Sequence, residues 1–207
     1  MINRLFFTTL AAAGSLLLTA ATASAHPHVW VTMHSELIYA PDGTITGVHH
    51  AWTFDDMFSV FATQGIDSKK KGEFTREELA PLAEVNVTSL KEYDFFTHAK
   101  ANGKALEFNE PPAGYYLEFN PKDTVLTLHF TLPLKAPLKA KDLTLEVYDR
   151  EYFVDFSFAD KDPVKAVGMP AQCKVSFMRL GDPGAAPPMD PDNWGAQYAN
   201  KILVKCP

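Results

Sequence analysis

The chain has 207 residues, of which 46% are hydrophobic and 21% charged, and its formal net charge at pH 7 is −6. This composition is typical of one globular domain and excludes a disordered chain. The lysines and arginines are spread among acidic residues, so the sequence gives no sign of a nucleic-acid-binding surface.

The first 25 residues have the features of a secretory signal peptide. Arg4 is their only charged residue, an apolar stretch follows it, and the Ala-Ser-Ala sequence at 23–25 fits a signal-peptidase site. The alternative, an uncleaved anchor, is less favoured because the apolar stretch is short and interrupted. We therefore expect cleavage before His26, leaving residues 26–207 as one periplasmic domain that does not insert into the membrane.

Strands dominate the remaining chain. Alternating apolar and polar residues predict antiparallel sheets with one solvated face, with strands at 29–39, 45–52, 95–101, 104–108, 115–119, 125–132, 143–148 and 152–158. Turn residues at 41–43 and the Asn102-Gly103 pair predict two hairpins. From 181 to 194 the chain is rich in Pro, Gly and Asp and is predicted to be a loop.

A short helix is predicted at 55–64, directly after the second strand. Thr53 is the expected N-cap and Gly65 the expected C-terminal residue. Four apolar residues recur at helical spacing and are predicted to face the core: Phe54, Met57, Phe58 and Phe61.

A second helix is predicted at 75–93. Thr75 and Glu78 form a capping-box sequence, and Pro81 should kink the helix. Residues 67–78 have the length of an EF-hand loop, but Lys69 and Lys71 stand where two oxygen ligands should be, so we expect no bound calcium. The predicted fold class is α+β, mostly β: an antiparallel β-sandwich-like domain with two helices inserted in the N-terminal third.

The two cysteines, Cys173 and Cys206, are predicted to form a disulfide in an oxidising compartment. The alternative, a soft-metal or redox site, is less favoured because the chain has no Cys-x-x-Cys pair.

The histidines carry the best chemical signal. At a processed N-terminus, His26 offers an amine and a ring nitrogen to a metal ion, and His28 adds a second imidazole. Pro27 has no backbone N–H, which disfavours a square-planar copper or nickel site built on the amino terminus. The remaining hypothesis is a zinc, nickel or cobalt site with five candidate ligands: His26, His28, His50, Asp55 and His98. The alternative is structural: Asp55 stabilises a helix N-terminus, and the later histidines belong to strands.

Four segments of the chain resemble a bacterial family of unknown function: HPHVWV at 26–31, WTFDDMFS at 52–59, YDFFTH at 93–98 and YDREYF at 148–153. That family is usually labelled as the periplasmic component of an uncharacterised ABC-type transport system. Its members often accompany a nickel/cobalt-type permease. The resemblance therefore implies a role beside an inner-membrane transporter of divalent transition metals.

An enzymatic role is not expected. The chain has neither a Gly-x-Ser-x-Gly nucleophile motif nor a His-Glu-x-x-His zinc motif. Three carboxylates cluster near one turn, Asp149, Glu151 and Asp155, which is a weak indication of acid–base chemistry. We expect a periplasmic metal-binding accessory of a transport system. The alternative is a non-metal interaction module that docks a permease or an envelope partner.

Overall fold

The computed structural model describes residues 27–185 and 191–207. The predicted signal peptide and His26 lie outside the described residues, so both stay predictions. Within the described part of the chain, no helix is long and apolar enough to cross a membrane.

Two β-sheets form the body of the domain. The first sheet consists of β1 (Val29–Tyr39), β2 (Ile45–Phe54), β5 (Tyr116–Asn120), β6 (Val125–Leu138), β8 (Val154–Phe158) and β9 (Val164–Val167). Its strand order is β5-β6-β2-β1-β8, with β9 also pairing with β1. The second sheet consists of β3 (Thr97–Ala101), β4 (Lys104–Leu106), β7 (Asp142–Val147), β10 (Lys174–Met178) and β11 (Asn200–Lys205). Its strand order is β10-β11-β7-β3-β4.

The core lies between the two sheets, as the alternating sequence predicts. In β6, every second residue from Leu126 to Leu134 is buried. The indole of Trp52 packs at its centre, with ring centroids 4.8 Å from both Phe130 and Phe156. The predicted mostly-β sandwich with two N-terminal helices is confirmed. Two features were not predicted. β1 pairs in parallel with β8 and with β9, and the strands β9, β10 and β11 lie outside the predicted strand ranges.

The first helix, α1 (Asp56–Ala62), is shorter than predicted and has a different cap. Asp55 is the N-cap, and its Oδ1 accepts a hydrogen bond of 2.8 Å from the backbone N–H of Phe58. The prediction of Thr53 was wrong, because β2 continues to Phe54 and the Thr53 hydroxyl pairs with that of Thr127 across the strands. The prediction of Gly65 at the C-terminus was also wrong, because the helix ends at Ala62 with Thr63 as the C-cap, and Gly65 follows in a turn with φ of 79°.

The predicted core face of this helix was wrong at two positions. Met57 is 75% exposed and Phe61 is 70% exposed. Phe54 belongs to the strand rather than to the helix, so the apolar spacing counted from it was out of phase with α1. The helix packs instead through Phe58 and the buried Ser59.

The second helix, α2 (Arg76–Leu90), has the predicted capping box. Glu78 accepts from the backbone N–H of Thr75 at 2.8 Å and from that of Lys69 at 2.9 Å. Both oxygens of the last residue in the EF-hand-like loop therefore bind backbone. Pro81 lies inside α2 without ending it. The helix stops at Leu90, and Lys91–Phe96 is a kinked 3-10 segment.

The C-terminal part of the chain closes the second sheet. A 3-10 segment, Pro191–Tyr198, leads into β11. The predicted disulfide between Cys173 and Cys206 is confirmed. It joins the residue before β10 to the residue after β11, so it fastens the two neighbouring strands together at one end.

Candidate functional site

The four family-like segments of the sequence meet around one cavity, which we call the motif cavity. It has a volume of about 370 Å³ and lies beside β1, the end of β2 and the C-terminal half of α2. Its walls are largely apolar and include Val29, Val31, Trp52, Phe54, Phe58, Tyr93, Phe96 and Phe153. Each segment supplies at least one of these residues.

Two hydrogen bonds and one ion pair join the four segments. The N–H of Trp30 donates to Oδ2 of Asp55 at 2.9 Å, which joins the first segment to the second. The N–H of His28 donates to the carbonyl of Phe153 at 2.8 Å, which joins the first to the fourth. Arg150 in the fourth segment forms an ion pair of 3.2 Å with Asp94 in the third.

Asp149 organises the turn that precedes β8. It is buried, and its carboxylate accepts backbone N–H groups from Glu151, Phe153 and Val154 at 2.9 to 3.0 Å. A carboxylate with three such bonds is a structural anchor. Of the three clustered carboxylates in the sequence, Asp149 is therefore committed to the backbone.

His28 lies at the start of β1, next to β8. Its ring packs on that of Phe153, with centroids 4.7 Å apart. Trp30, two residues later, is the register partner of Asp155 on β8. Because alternate residues of an extended chain point to the same side, His28 and Asp155 lie on one side of this strand pair.

The Asp155 carboxylate has no counter-charge within the described ranges. It is half-buried, and burial raises the pKa of this carboxyl above its usual range. Among the described residues, its side chain has no hydrogen bond and no ion pair. This partly desolvated carboxylate, on the same side of the strand pair as His28, is the strongest candidate for a cation ligand among the described residues. The two side chains lie on the side of the first sheet opposite to Val29, Val31 and Phe156, which line the motif cavity.

His50 is a core residue. It is fully buried, with Nδ1 2.9 Å from the Ser35 hydroxyl and Nε2 3.3 Å from the Thr97 hydroxyl. Burial, with a smaller contribution from His49, lowers the pKa of His50 to about 3. The ring is therefore neutral at physiological pH, and both of its nitrogens already contact hydroxyl groups.

The other two candidate ligands in the described part of the chain, Asp55 and His98, lie on different elements. Asp55 uses its carboxylate to bind the backbone of α1 and of Trp30. His98 lies on β3 in the second sheet, where its ring packs 4.5 Å from that of Tyr148. Within residues 27–185 and 191–207, no three His, Cys, Asp or Glu side chains stand close enough together to hold a metal ion. The proposed ligand set stays a prediction, since His26 is outside these ranges.

Sequence reasoning missed a second pair of histidines on the outer face of the first sheet. The rings of His49 and His129 stack at 5.8 Å, and Tyr116 stacks on His129 at 4.5 Å. Nε2 of His129 lies 3.4 Å from a carboxylate oxygen of Glu118, a contact that becomes an ion pair only when the imidazole is protonated. Burial lowers the pKa of both histidines. Alternation along β2 and β6 was the signal that could have placed both rings outward.

Comparison with known proteins finds relatives whose own roles are uncharacterised. The chain is 23% identical over 194 residues to an uncharacterised protein of Haemophilus influenzae, covering 88% of this chain and 91% of that protein. It is 32% identical over 99 residues to an uncharacterised 15.5 kDa protein in the trpE 3′ region of Spirochaeta aurantia, covering 47% of this chain and 69% of that protein.

Two solved structures resemble the fold only distantly. One is the AChBP of Capitella teleta in complex with lobeline, with a TM-score of 0.42 and 11% identity over 98% of this chain and 95% of that one. The other is the AChBP of Bulinus truncatus, with a TM-score of 0.36 and 9% identity over 88% of each chain.

The family comparison covers nearly the whole sequence. Residues 11–206 match the family described as "Protein of unknown function (DUF1007)". The match includes all four segments that line the motif cavity. The chain therefore belongs to the DUF1007 family of uncharacterised proteins.

Proposed function

We propose that this protein is a periplasmic accessory that binds a divalent transition-metal ion, zinc, nickel or cobalt, for an inner-membrane permease. The observation that supports this proposal is the placement of His28 and Asp155 on one side of neighbouring strands. The disulfide fits an oxidising compartment outside the cytoplasm. The permease partner follows from the family resemblance of the sequence.

The chemistry of the two side chains suits such an ion. Imidazole nitrogen and carboxylate oxygen are common ligands of zinc, and imidazole also suits nickel. A bound cation would supply the positive charge that the half-buried Asp155 lacks. After signal cleavage, His26 would add a ring and an amine two residues before His28.

The proposed role is binding rather than catalysis. Of the three clustered carboxylates, Asp149 spends its oxygens on three backbone N–H groups and is not available for acid–base chemistry. His50, whose pKa is lowered to about 3, is enclosed in the core.

Equilibrium dialysis of secreted protein with a native N-terminus tests the metal proposal. We expect about one zinc, nickel or cobalt ion per chain, with affinity lowered at least about tenfold in His28→Ala and in Asp155→Asn. His34→Ala, on the same side of β1, and Asp160→Asn, just beyond β8, are matched controls and should bind normally. Failure of the native protein to bind any of the three ions would contradict the proposal, as would unchanged affinity in both variants.

A second candidate function rests on the motif cavity itself. Its walls are apolar, and two aromatic residues at it are strongly exposed, Tyr93 at 51% and Phe153 at 45%. Such a surface suits an apolar group of a permease or an envelope partner. This non-metal module predicts no ion in the dialysis experiment and loss of binding to the neighbouring permease in Tyr93→Ser. Phe177→Ser, an exposed aromatic on the second sheet, is its control.

A further inference from the structure

A second and larger cavity opens where β4 ends. It has a volume of about 740 Å³, and we call it the His98 cavity. β4 pairs with β3 only from Ala99 to Ala101. Beyond Leu106 the chain crosses to the first sheet, where the carbonyl of Glu107 accepts from Lys135 N–H at 2.9 Å. β3 therefore has no β4 partner beside His98, and the gap forms the cavity.

Among residues 27–185 and 191–207, two polar atoms buried at this cavity have no hydrogen-bond partner. They are Nε2 of His98 and Oδ1 of Asn193. Both residues are fixed by Tyr148: its ring packs on His98 at 4.5 Å, and its hydroxyl accepts from Nδ2 of Asn193 at 3.0 Å. A buried polar group that lacks a hydrogen-bond partner costs free energy. Two such atoms beside one open cavity therefore indicate that a polar molecule binds in the cavity.

One wall of the cavity is a strained turn. Asp94, Phe95 and Phe96 are consecutive non-glycine residues in the left-handed region, with φ of 52°, 52° and 49°. Asp94 and Phe95 line the cavity. Such conformations persist where the surrounding structure enforces them, and they concentrate at binding and active sites. The strain is a separate observation that points to the same place.

In the described part of the chain, one cation around the cavity has no ion-pair partner. The other cations there form four ion pairs: Lys91 with Glu110, Lys135 with Glu107, Arg150 with Asp94, and Lys201 with Glu146. Lys100 has no ion-pair partner among the described residues. It lies two residues after His98 on the same side of β3. The unmatched groups are therefore an ammonium, an imidazole nitrogen and an amide oxygen.

We infer that the His98 cavity binds a small carboxylate that carries an adjacent N–H donor, the chemistry shared by free amino acids and peptide C-termini. The carboxylate would meet the ammonium of Lys100 and the N–H of a His98 tautomer protonated on Nε2. The N–H of the ligand would donate to Oδ1 of Asn193. This site is on the second sheet, so it goes beyond the proposed metal function and does not depend on it.

Isothermal titration of the processed protein tests this inference with three forms of each standard L-amino acid. The free and the N-acetylated forms keep a carboxylate and an N–H, whereas the methyl ester loses the negative charge. We expect one-to-one binding of at least one free or acetylated form and none of its ester. Binding of the free form identifies an amino-acid ligand, and binding of the acetylated form alone identifies a peptide C-terminus.

Variants locate the binding. Lys100→Gln and His98→Gln should each weaken it about tenfold, the loss expected for one charge-assisted hydrogen bond. Lys174→Gln, the same change on β10, is the matched control and should leave affinity unchanged. Because Lys100 is exposed, its variant is expected to fold even if the His98 variant does not. The inference is overturned if no carboxylate binds, if glucose or the esters bind equally well, or if Lys100→Gln keeps full affinity.

Discussion

Neighbouring histidines on β2 occupy opposite environments. His50 points into the core between the Ser35 and Thr97 hydroxyls, while His49 points outward, where its Nδ1 lies 3.0 Å from the Thr131 hydroxyl. His50 has the same parity as Trp52 and Phe54, both of which are buried. Strand parity therefore contained the information that His50 is a core residue.

The buried His50 should make folding stability fall as the pH is lowered from about 6.5 toward 3. The unfolded chain takes up a proton on this ring below its ordinary pKa of 6.5, whereas the folded chain does so only near a pKa of about 3. Protons therefore favour the unfolded state throughout this window. At pH 4 the loss from His50 alone is on the order of 3 kcal/mol.

Urea unfolding at pH 7 and at pH 4 measures this effect. Burial also lowers the pKa of His49, His98 and His129, so their contributions have the same sign. His50→Asn cannot titrate and should show a smaller pH dependence than the native protein, whatever its stability at pH 7. Equal slopes in the two proteins would contradict the assignment.

Of the two side chains proposed to bind the metal, the sequence predicted one and not the other. His28 was identified from its place near the processed N-terminus. Asp155 was noticed only as one of three clustered carboxylates. Its position beside Trp30 depends on the parallel pairing of β1 with β8, which joins residues more than a hundred positions apart. Local periodicity holds no information about such a pairing.

Among the secondary-structure elements, the strands with strong alternation were predicted well, whereas the ranges of β9, β10 and β11 were not predicted. The six residues of β7 alternate between exposed or half-buried and buried positions, and the Asn102-Gly103 turn has positive φ at both residues. The short elements were harder. α1 has only seven residues, too few for apolar spacing to define a face independently of the adjoining strand.

The contact of α1 with the first sheet gives a second stability prediction. The buried hydroxyl of Ser59 accepts a hydrogen bond of 2.9 Å from the backbone N–H of Leu126 on β6. Ser59→Ala leaves this N–H unpaired in the core and should lower the free energy of unfolding by about 1–3 kcal/mol. Ser176→Ala on the exposed side of β10 should change it by less than about 0.5 kcal/mol.

Urea unfolding of both variants at pH 7 measures the difference. A loss in Ser59→Ala no larger than that in Ser176→Ala would show that the helix is not fastened to β6 through this bond. Met57 and Phe61, the exposed apolar residues of α1, are unchanged in both variants and so do not contribute to the difference in unfolding free energy.

At the scale of the whole molecule, the two sheets separate two kinds of candidate site. The first sheet carries His28 and Asp155 on one side and the motif cavity on the other. The second sheet carries the His98 cavity with its unmatched polar groups. The sandwich class was predictable from alternation and composition. The cavities were not, because they arise where strands end and the chain crosses between sheets.

Paramagnetic broadening by stoichiometric Co²⁺ measures whether a transition-metal ion binds at the start of β1. Isotope-labelled, secreted protein with its native N-terminus is titrated with Co²⁺, and backbone amide signals are followed by NMR. We expect the amides of Val29, Trp30 and 154–156 to broaden first, while those of β4 and β10 stay sharp. Broadening centred on His49 and His129, or none at all, would contradict metal binding at this position.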